Sequence, residues 1–291
     1  MSMFINRKEE LNLLESIYNS NKAELVLVYG RRRIGKSTLL RESIKNRNAL
    51  YLLVDLSKNI LEILSMQINS QFVKFLNWDN FFDFIEKSEY EIFIIDEFQY
   101  LYNLDKAWPS ILQRRWETLK KTKKKLILCG SIISTIYKIS YGYGAALYGR
   151  KTYEIEITQL NFEHIKEFFD YKKEDLVKIY AILGGIPRYL EEFDKNKSIE
   201  TNIKEKILNK NSFLYNEPIN ILFEEFRDSS SYISILLAIS QGFNKFNEIS
   251  QYSKIQPNKL PKYLNVLERI KIIEKQIPIT ENKIKGKITH Y

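Results

Sequence analysis

Eight consecutive residues near the N-terminus have the types and spacing needed to hold the phosphates of a nucleotide. Residues 30–37 read Gly-Arg-Arg-Arg-Ile-Gly-Lys-Ser, which matches the pattern G-x-x-x-x-G-K-[ST]. They follow an apolar run, LVLVY, and precede a helical segment, STLLRESI. The glycines let backbone N–H groups turn towards phosphate oxygens, and the helix N-terminus adds a partial positive charge. The sequence therefore predicts a phosphate-binding loop between a strand and a helix.

The polar residues at the end of this loop have distinct expected roles. Lys36 is expected to bridge the β- and γ-phosphates of ATP, and the Ser37 hydroxyl to bind Mg²⁺. Thr38 follows on the α-phosphate side, whereas Arg31 and Arg32 lie in the variable part of the loop and receive no role. The residues predicted to line the nucleotide are Gly30, Arg33, Ile34, Gly35, Lys36, Ser37 and Thr38.

A second apolar run ends in two adjacent acids. Residues 92–95 read Ile-Phe-Ile-Ile, and Asp96 and Glu97 follow them directly. Asp96 is expected to hold Mg²⁺ through water and to complete the metal shell begun by Ser37. Glu97 is expected to orient and deprotonate the attacking water, which makes this a hydrolase-type site. The alternative is that these acids only cap a strand-to-helix turn.

The first half of the chain alternates short apolar runs with amphipathic segments, a pattern typical of parallel strands joined by helices. Strands are predicted at 25–29, 50–55, 92–96, 126–129 and 153–157. Because 50–55 lies between the two motifs, their strands need not be adjacent. An inserted strand, together with Glu97, defines the additional-strand, catalytic-glutamate type of P-loop ATPase. Ser131, just after the fourth run, either senses the γ-phosphate or the attacking water, or is an ordinary turn serine.

Helical periodicity replaces the strand pattern after about residue 160. Asn6 is expected to cap an N-terminal helix starting at Arg7, and later helices are predicted at 162–169, 176–193 and 203–226, with breaks at Gly184-Gly185 and Pro187. The final residues predict three short helices, 233–239, 246–252 and 260–270, and then a hairpin, which together describe a winged helix-turn-helix. We therefore expect an α/β P-loop core at 1–158, a helical lid at 159–230 and a winged helix at 231–291.

Composition limits the classes of protein that this chain can be. It has 291 residues, of which 44% are hydrophobic and 28% charged, values that exclude a disordered or fibrous chain. One cysteine and two histidines cannot supply a zinc-finger ligand set, so a metal would be held by oxygen ligands. No apolar run approaches the roughly 18 residues that cross a bilayer, and no secretory signal is evident, so a cytoplasmic location without membrane contact is expected.

Six segments resemble, in order along the chain, the archaeal-type ATPases of the AAA-related, STAND-like group. They are FINRKEELNLLE (4–15), VYGRRRIGKSTLL (28–40), FIIDEFQYL (93–101), LCGS (128–131), LYGRK (147–151) and LGGIPRYL (183–190). The resemblance covers the whole chain and implies an ATPase core, a helical lid and a winged-helix domain. Relatives often carry a further nuclease-like domain, which is expected to be absent here or to have been cut away after Tyr291.

The resemblance also implies roles for residues outside the two motifs. The segment Phe4, Ile5 and Asn6 would lie against the adenine, although a helix cap with a hydrophobic staple explains the same residues. Arg150 would point at a γ-phosphate, in cis or from a neighbouring subunit, unless it is an ordinary surface arginine. Pro187 would approach the base and Arg188 the phosphates.

Positive charge is concentrated at the C-terminal end. The formal net charge is +9, and residues 243–291 carry ten Lys and Arg against four Glu, a net +6. Such a surface suits duplex DNA, although codon bias towards Lys and a protein-binding winged helix are open alternatives. The expected DNA contacts are Lys259, Lys262 and Arg269 on the third helix, and Lys283, Lys285 and Lys287 on the wing.

These features predict a Mg²⁺-dependent ATPase that binds ATP and ADP and acts as a nucleotide-controlled switch coupled to double-stranded DNA. Hydrolysis is expected to be slow without an activator such as DNA or oligomerisation. The alternative is a nucleotide-gated signalling or defence adaptor that recruits a protein effector or forms a homo-oligomer without contacting nucleic acid. A small-molecule kinase fits less well, because Glu97 follows Asp96 directly.

Overall fold

The apolar runs of the first half of the chain form one parallel sheet. The structure is a computed structural model that describes residues 5–57, 59–68, 74–141, 145, 147–226 and 229–276. The strands are β1 (Glu24–Tyr29), β2 (Ala49–Leu53), β3 (Ile92–Asp96), β4 (Lys125–Gly130) and β5 (Tyr153–Glu156). All five lie within two residues of the predicted runs, which confirms the α/β prediction.

The order of the strands, β2-β3-β4-β1-β5, separates the two motifs. β4 lies between β1 and β3, with Val26 opposite Ile127 and Ile94 opposite Ile127 on the other side. The strand at 49–53, which lies between the motifs in sequence, forms the edge beside β3. The phosphate-loop strand and the acidic strand are therefore not adjacent, as expected. The strand between them is β4, which follows both motifs in sequence, and not the strand at 50–55 from which the separation was predicted.

Helices cover both faces of the sheet because each central strand is apolar on both sides. One face packs against an aromatic-rich core that includes Phe81, Phe93 and Trp108, and the other against a smaller aliphatic core that includes Leu14 and Leu39. The helices of this part are α1 (Lys8–Tyr18), α2 (Lys36–Ser43), α3 (Ile60–Gln67), α4 (Trp78–Lys87), α5 (Gln99–Leu104), α6 (Trp108–Leu119), α7 (Ile133–Tyr141), α8 (Lys173–Leu183) and α9 (Pro187–Leu190).

One local prediction in this part was wrong. α1 begins at Lys8, and its N-cap is Arg7 in a left-handed conformation without a side-chain cap, so Asn6 does not cap it. The helix predicted at 162–169 is a 3₁₀ helix at Phe162–Glu167. The predicted break at Gly184-Gly185 is confirmed, because α8 ends at Leu183 and α9 begins at Pro187. The chain turns at Gly184, with φ 62°, and a Cβ at Gly185 would lie 1.8 Å from the Leu160 carbonyl oxygen.

The described chain clusters into two compact units, Met1–Ile199 and Glu200–Tyr291. The first forty or so residues of the predicted lid thus belong to the same unit as the sheet. The predicted helix at 203–226 is interrupted: a π-helical turn at Ile203–Ile207 is followed by α11 (Phe213–Glu225), which Ser212 caps. The remaining helices are α10 (Ile199–Asn202), α12 (Ser230–Ser240), α13 (Phe246–Ser253) and α14 (Leu260–Arg269).

The last three helices form a small apolar cluster within the second unit. α12 packs against both α13 and α14, and the buried residues include Ile235, Ile249 and Leu264. The predicted hairpin falls largely on 277–291, outside the described residues, as do Lys283, Lys285 and Lys287. Throughout the described ranges, every helix is too short or too polar to cross a bilayer.

Candidate functional site

The loop at residues 30–37 connects β1 to α2 and has the backbone geometry that its glycines allow. Gly35 has φ 92° and Arg33 has φ 68°, so the chain turns sharply just before the helix begins. A Cβ at Gly30 would lie 2.2 Å from the carbonyl oxygen of Ile157, a contact that no side chain tolerates. Glycine at position 30 is therefore required by the close approach of the backbone at Ile157.

Lys36 is buried at the first position of α2. Its Nζ donates hydrogen bonds to the carbonyl oxygens of Gly30 and Arg31, each at 2.9 Å. Burial lowers the pKa of Lys36, while the charges of nearby groups, including Asp96 and Glu97, oppose that shift. The loop thus holds one desolvated ammonium group beside two carboxylates.

Asp96 and Ser37 meet across the gap between β3 and α2. Ser37 Oγ donates to Asp96 Oδ2 at 2.6 Å, and the carboxylate is 1% exposed. Tyr51, on β2, also donates to Oδ2, and the backbone N–H of Glu97 donates to Oδ1 at 2.9 Å. Burial and the charge of Asp96 raise the pKa of Tyr51, so its hydroxyl remains a donor. Tyr51 was not predicted, because its strand carries no motif.

Glu97 is half-buried and has φ 57°, a left-handed conformation that is uncommon for a residue with a side chain. Its Oε2 accepts a hydrogen bond from Ser131 Oγ at 2.7 Å and another from Gln99 Nε2. Ser131 follows β4, so the inserted strand brings this serine to the acid. The structure therefore unites Lys36, Ser37, Asp96, Glu97 and Ser131 at the carboxyl end of the sheet.

A cleft of about 310 Å³ opens over the loop. The backbone N–H of Arg188 donates to the carbonyl oxygen of Arg33 at 3.4 Å, and Pro187 lies beside Gly35. The Arg188 side chain pairs with Glu191 at 3.6 Å and Glu192 at 2.6 Å. The residues lining the cleft are Arg32, Arg33, Gly35, Lys36, Ser37, Thr38, Glu97, Pro187, Arg188 and Glu191.

The segment before α1 is tied to the same region. Ile5 is buried, and Asn6 Nδ2 lies 2.6 Å from His164 Nε2. Arg7 is 7% exposed and donates to the carbonyl oxygens of Ile34, at 3.1 Å, and Thr158, at 2.6 Å. Arg7 and His164 were not predicted as site residues, because their partners are distant in sequence. Phe4 lies outside the described residues.

Arg150 lies at the amino end of the sheet, opposite the end that carries the phosphate loop. It precedes β5, whose first residue pairs with Val26 near the start of β1, and Thr152 N donates to the Leu25 carbonyl oxygen. Arg150 contacts Glu117, with 4.0 Å between Nε and Oε1, and the carbonyl oxygen of Tyr148 at 3.3 Å. Leu25 and Gly30 are five steps apart along the chain, a distance of about 16 Å, so this geometry is against a role of Arg150 at the phosphate loop of its own chain.

The side-chain oxygen atoms near the loop are ligands that suit a hard cation such as Mg²⁺. In the described ranges no three His, Cys, Asp or Glu residues cluster in a way that could hold a metal ion on their own. The Ser37 hydroxyl and the Asp96 carboxylate are two oxygen ligands within hydrogen-bond distance of each other. This pair fits Mg²⁺, which is commonly held by few protein ligands together with phosphate oxygens and water.

The predicted DNA-contacting residues lie in the second unit, on or beside α14. Lys259 is the N-cap residue of that helix, and Lys262 and Arg269 lie within it. All three are exposed. Lys262 and Arg269 are seven residues apart and therefore share a helix face. Lys285 lies outside the described residues.

A parallel sheet with an inserted strand, a glycine-rich loop after β1 and an acidic end to β3 defines the class of P-loop ATPases. A family model described as an ATPase domain predominantly from Archaea matches residues 4–193. The chain belongs to this family, as its motifs led us to expect, and is an ATP-binding P-loop protein of the archaeal type.

Individual relatives agree with this assignment. An uncharacterized protein of Methanocaldococcus jannaschii is 37% identical over 99% of this chain, which spans 66% of that relative's length. An uncharacterized ATP-binding protein of the same organism is 53% identical over 45 residues, covering 16% of this chain and 76% of the relative. A solved Walker-type ATPase of Pyrococcus abyssi has a similar fold, with a TM-score of 0.63 at 22% identity over 92% of this chain and 90% of that one.

Proposed function

We propose that this protein is a Mg²⁺-dependent ATP hydrolase whose nucleotide state acts as a switch. The observation that carries the proposal is the convergence of Lys36, the Ser37–Asp96 pair and the Glu97 carboxylate at one edge of the sheet. A structural ion pair explains a buried Lys or a buried Asp. It does not explain a second carboxylate oriented by a serine from the inserted strand.

The loop residues supply the binding part of this function. Backbone N–H groups of 30–37 and the start of α2 receive the phosphates, and Thr38 lines the same cleft. Lys36 exchanges its bonds with the Gly30 and Arg31 carbonyl oxygens for phosphate oxygens. Ser37 and Asp96 would hold Mg²⁺, which would supply neutralisation of the phosphate charge.

Glu97 supplies the base. A proton passes from the attacking water to Glu97 while the water oxygen bonds to the γ-phosphorus and the bond to the β–γ bridging oxygen breaks, so that ADP and phosphate leave. Ser131 orients Glu97 through the 2.7 Å hydrogen bond. A positioned general base typically contributes about 10²- to 10⁴-fold in rate.

In this scheme the adenine ring of ATP lies against the N-terminal segment and the turn at 184–188. Ile5 and Asn6 lie next to Arg7, which holds Ile34 of the loop, and Pro187 faces Gly35. Closure of the helical lid over ATP changes the environment of these residues, and this couples nucleotide state to the rest of the chain. Arg150, at the amino end of the sheet, acts in this scheme only on ATP bound by a second copy.

The proposed output module is the C-terminal part of the second unit, residues 231–291, as a winged helix that binds duplex DNA. The proposal is supported by the three-helix cluster α12–α14 and by exposed Lys262 and Arg269 on one face of α14. A salt titration tests it, because neutralising phosphates releases counterions. DNA affinity that falls steeply between about 50 and 200 mM salt supports the proposal. No binding at low salt contradicts it.

A protein partner is the second candidate output. Exposed apolar residues recur at intervals of four along α11, with Tyr215, Ile219 and Phe223 at 44%, 48% and 61% exposure. An exposed apolar row of this kind is typical of protein-binding surfaces. Replacing Phe223 with Ser weakens effector binding in this scheme, in which the chain binds no DNA even at low salt.

The substitution Glu97→Gln tests the hydrolase proposal directly. We expect ATP turnover to fall at least about 100-fold, because the amide cannot accept the proton, while ATP affinity stays within about twofold. Glu89→Gln, at an exposed position in the 88–91 loop, is the matched control. Steady-state phosphate release and nucleotide titration measure both quantities. Unchanged turnover in Glu97→Gln would remove Glu97 as the base.

A further inference from the structure

A glutamine outside the two motifs contacts the proposed base. Gln99 begins α5, has a fully buried side chain at 0% exposure, and donates from Nε2 to Glu97 Oε2. Ser131 Oγ donates to the same oxygen, and Gln99 Nε2 lies 3.5 Å from Ser131 Oγ. Three side chains, from the ends of β3 and β4 and the start of α5, thus form one closed hydrogen-bonded group.

The amide of Gln99 is held in this orientation at the expense of its own carbonyl. Gln99 Oε1 is buried, and among the residues that the structure describes it has no hydrogen-bond partner. Buried amides usually satisfy both ends. Reversing the amide would turn Oε1 towards the Glu97 carboxylate, where two acceptors would repel. The contact with Glu97 therefore determines the orientation.

The end of β4 is shaped to admit this amide. A Cβ on Gly130 would lie 2.6 Å from Gln99 Oε1 and 2.9 Å from Ile136 Cδ1. Any larger residue at 130 would push the Gln99 amide away from Glu97 and Ser131. The glycine before Ser131 is thus explained by Gln99, not by an unusual backbone angle.

Both donors act on one carboxylate oxygen. Within the described ranges, no hydrogen bond reaches Glu97 Oε1. We propose that Gln99 is a positioning residue for hydrolysis: together with Ser131 it holds Oε2, so that Oε1 is the oxygen that takes the proton from the attacking water. This inference rests on the proposed role of Glu97 as the base.

The test replaces Gln99 with Met, which has a similar volume and no N–H donor. We expect kcat for ATP to fall about 10- to 100-fold, because the base is no longer oriented, with KM and ATP affinity within about twofold of wild type. Gln67→Met is the matched control, since Gln67 is a half-buried glutamine that bonds only to the backbone of Leu53 among the described residues. An unchanged or increased kcat, or an equal loss of ATP affinity, overturns the proposal.

Turnover of the double variant, in which Gln99→Met is added to Glu97→Gln, separates this inference from the proposed function. If Gln99 acts through Glu97, Gln99→Met should lower the residual turnover of Glu97→Gln by less than about twofold. Normal turnover in Glu97→Gln alone refutes the base and the inference together. Loss of turnover in Glu97→Gln with full turnover in Gln99→Met refutes the inference alone.

A variant that retains the shape of glutamine covers the case in which Gln99→Met does not fold. Gln99→Glu has the same size and places a second carboxylate against Glu97, so it should lower kcat at least as much as Gln99→Met. Restoring an uncharged donor with Gln99→Asn should recover part of that loss. Circular dichroism and the ATP affinity of each variant establish that the fold is intact. Full kcat in folded Gln99→Glu overturns the proposal.

Discussion

The nucleotide cleft of the first unit and the basic helix of the second unit differ in how their charged groups are held. In the cleft, Lys36 and Asp96 are 5% and 1% exposed, and each has specific hydrogen-bond partners. On α14, Lys262 and Arg269 are exposed. Burying charge is costly unless the group is paired, so the cleft carries a cost that exposed lysines do not. Buried, oriented charge therefore identifies a site more strongly than charge density on a surface.

The largest expected effect comes from removing the buried charge of the cleft. Lys36→Ala should weaken ATP binding at least about 100-fold and abolish turnover, because charge-assisted bonds to phosphate are lost from a desolvated site. Lys45→Ala, which removes an exposed lysine paired with Glu42 at 2.6 Å, is the control and should bind ATP normally. Titration with a fluorescent nucleotide measures both. Retained affinity in Lys36→Ala would refute the phosphate-site assignment and, with it, the contrast between the two regions.

A smaller effect is expected when exposed charges are removed from α14. The double substitution Lys262→Ala and Arg269→Ala should weaken DNA binding about 10-fold and reduce the salt slope by about 2, since each residue neutralises one phosphate. ATP turnover without DNA should not change. Fluorescence anisotropy with a labelled duplex at several salt concentrations measures the affinity.

The control for α14 removes the same charge elsewhere in the second unit. Lys204→Ala combined with Lys210→Ala changes two exposed lysines near the π-helical turn. If this pair weakens DNA binding as much as the α14 pair, the interaction is governed by net charge and α14 is not a recognition helix.

The smallest expected effect concerns Tyr51, which is half-buried and so lies between the two cases. Tyr51→Phe removes one of two side-chain donors to Asp96 Oδ2 and should lower kcat about 3- to 10-fold, with a higher Mg²⁺ requirement. Burial and the charge of Asp96 raise the pKa of Tyr51, so its hydroxyl stays protonated. The ratio of kcat in Tyr51→Phe to kcat in the wild type should therefore stay constant between about pH 6 and 9.

Tyr102→Phe is the matched control for that prediction. Tyr102 is also half-buried, but Lys106 Nζ lies 3.8 Å from the centre of its ring. Its hydroxyl makes no hydrogen bond to Asp96 or Glu97 among the described residues. Turnover at varied Mg²⁺ concentration compares the two variants. An unchanged Mg²⁺ requirement in Tyr51→Phe would mean that Asp96 is positioned without Tyr51.

Sequence reasoning succeeded where the signal is local. The strands were predicted within two residues, because buried parallel strands are continuous apolar runs. It failed where a local signal was ambiguous: Asn6 has the residue type of a helix cap, but its side chain reaches His164, 158 positions away. The break at Gly184-Gly185, in contrast, was predicted, because a glycine pair is itself a local signal. The sequence did not show the approach of Gly185 to Leu160, which is a tertiary contact.

The sequence by itself determined the loop at 30–37, the acids Asp96 and Glu97, and the α/β class, because each depends on residues that are close together in the chain. Only the tertiary structure decided that β4 lies between the two motifs, that Tyr51 and Ser131 reach the acids, and that Arg150 lies at the amino end of the sheet. Those facts depend on strand order and on close approach between distant segments, and spacing along the chain encodes neither.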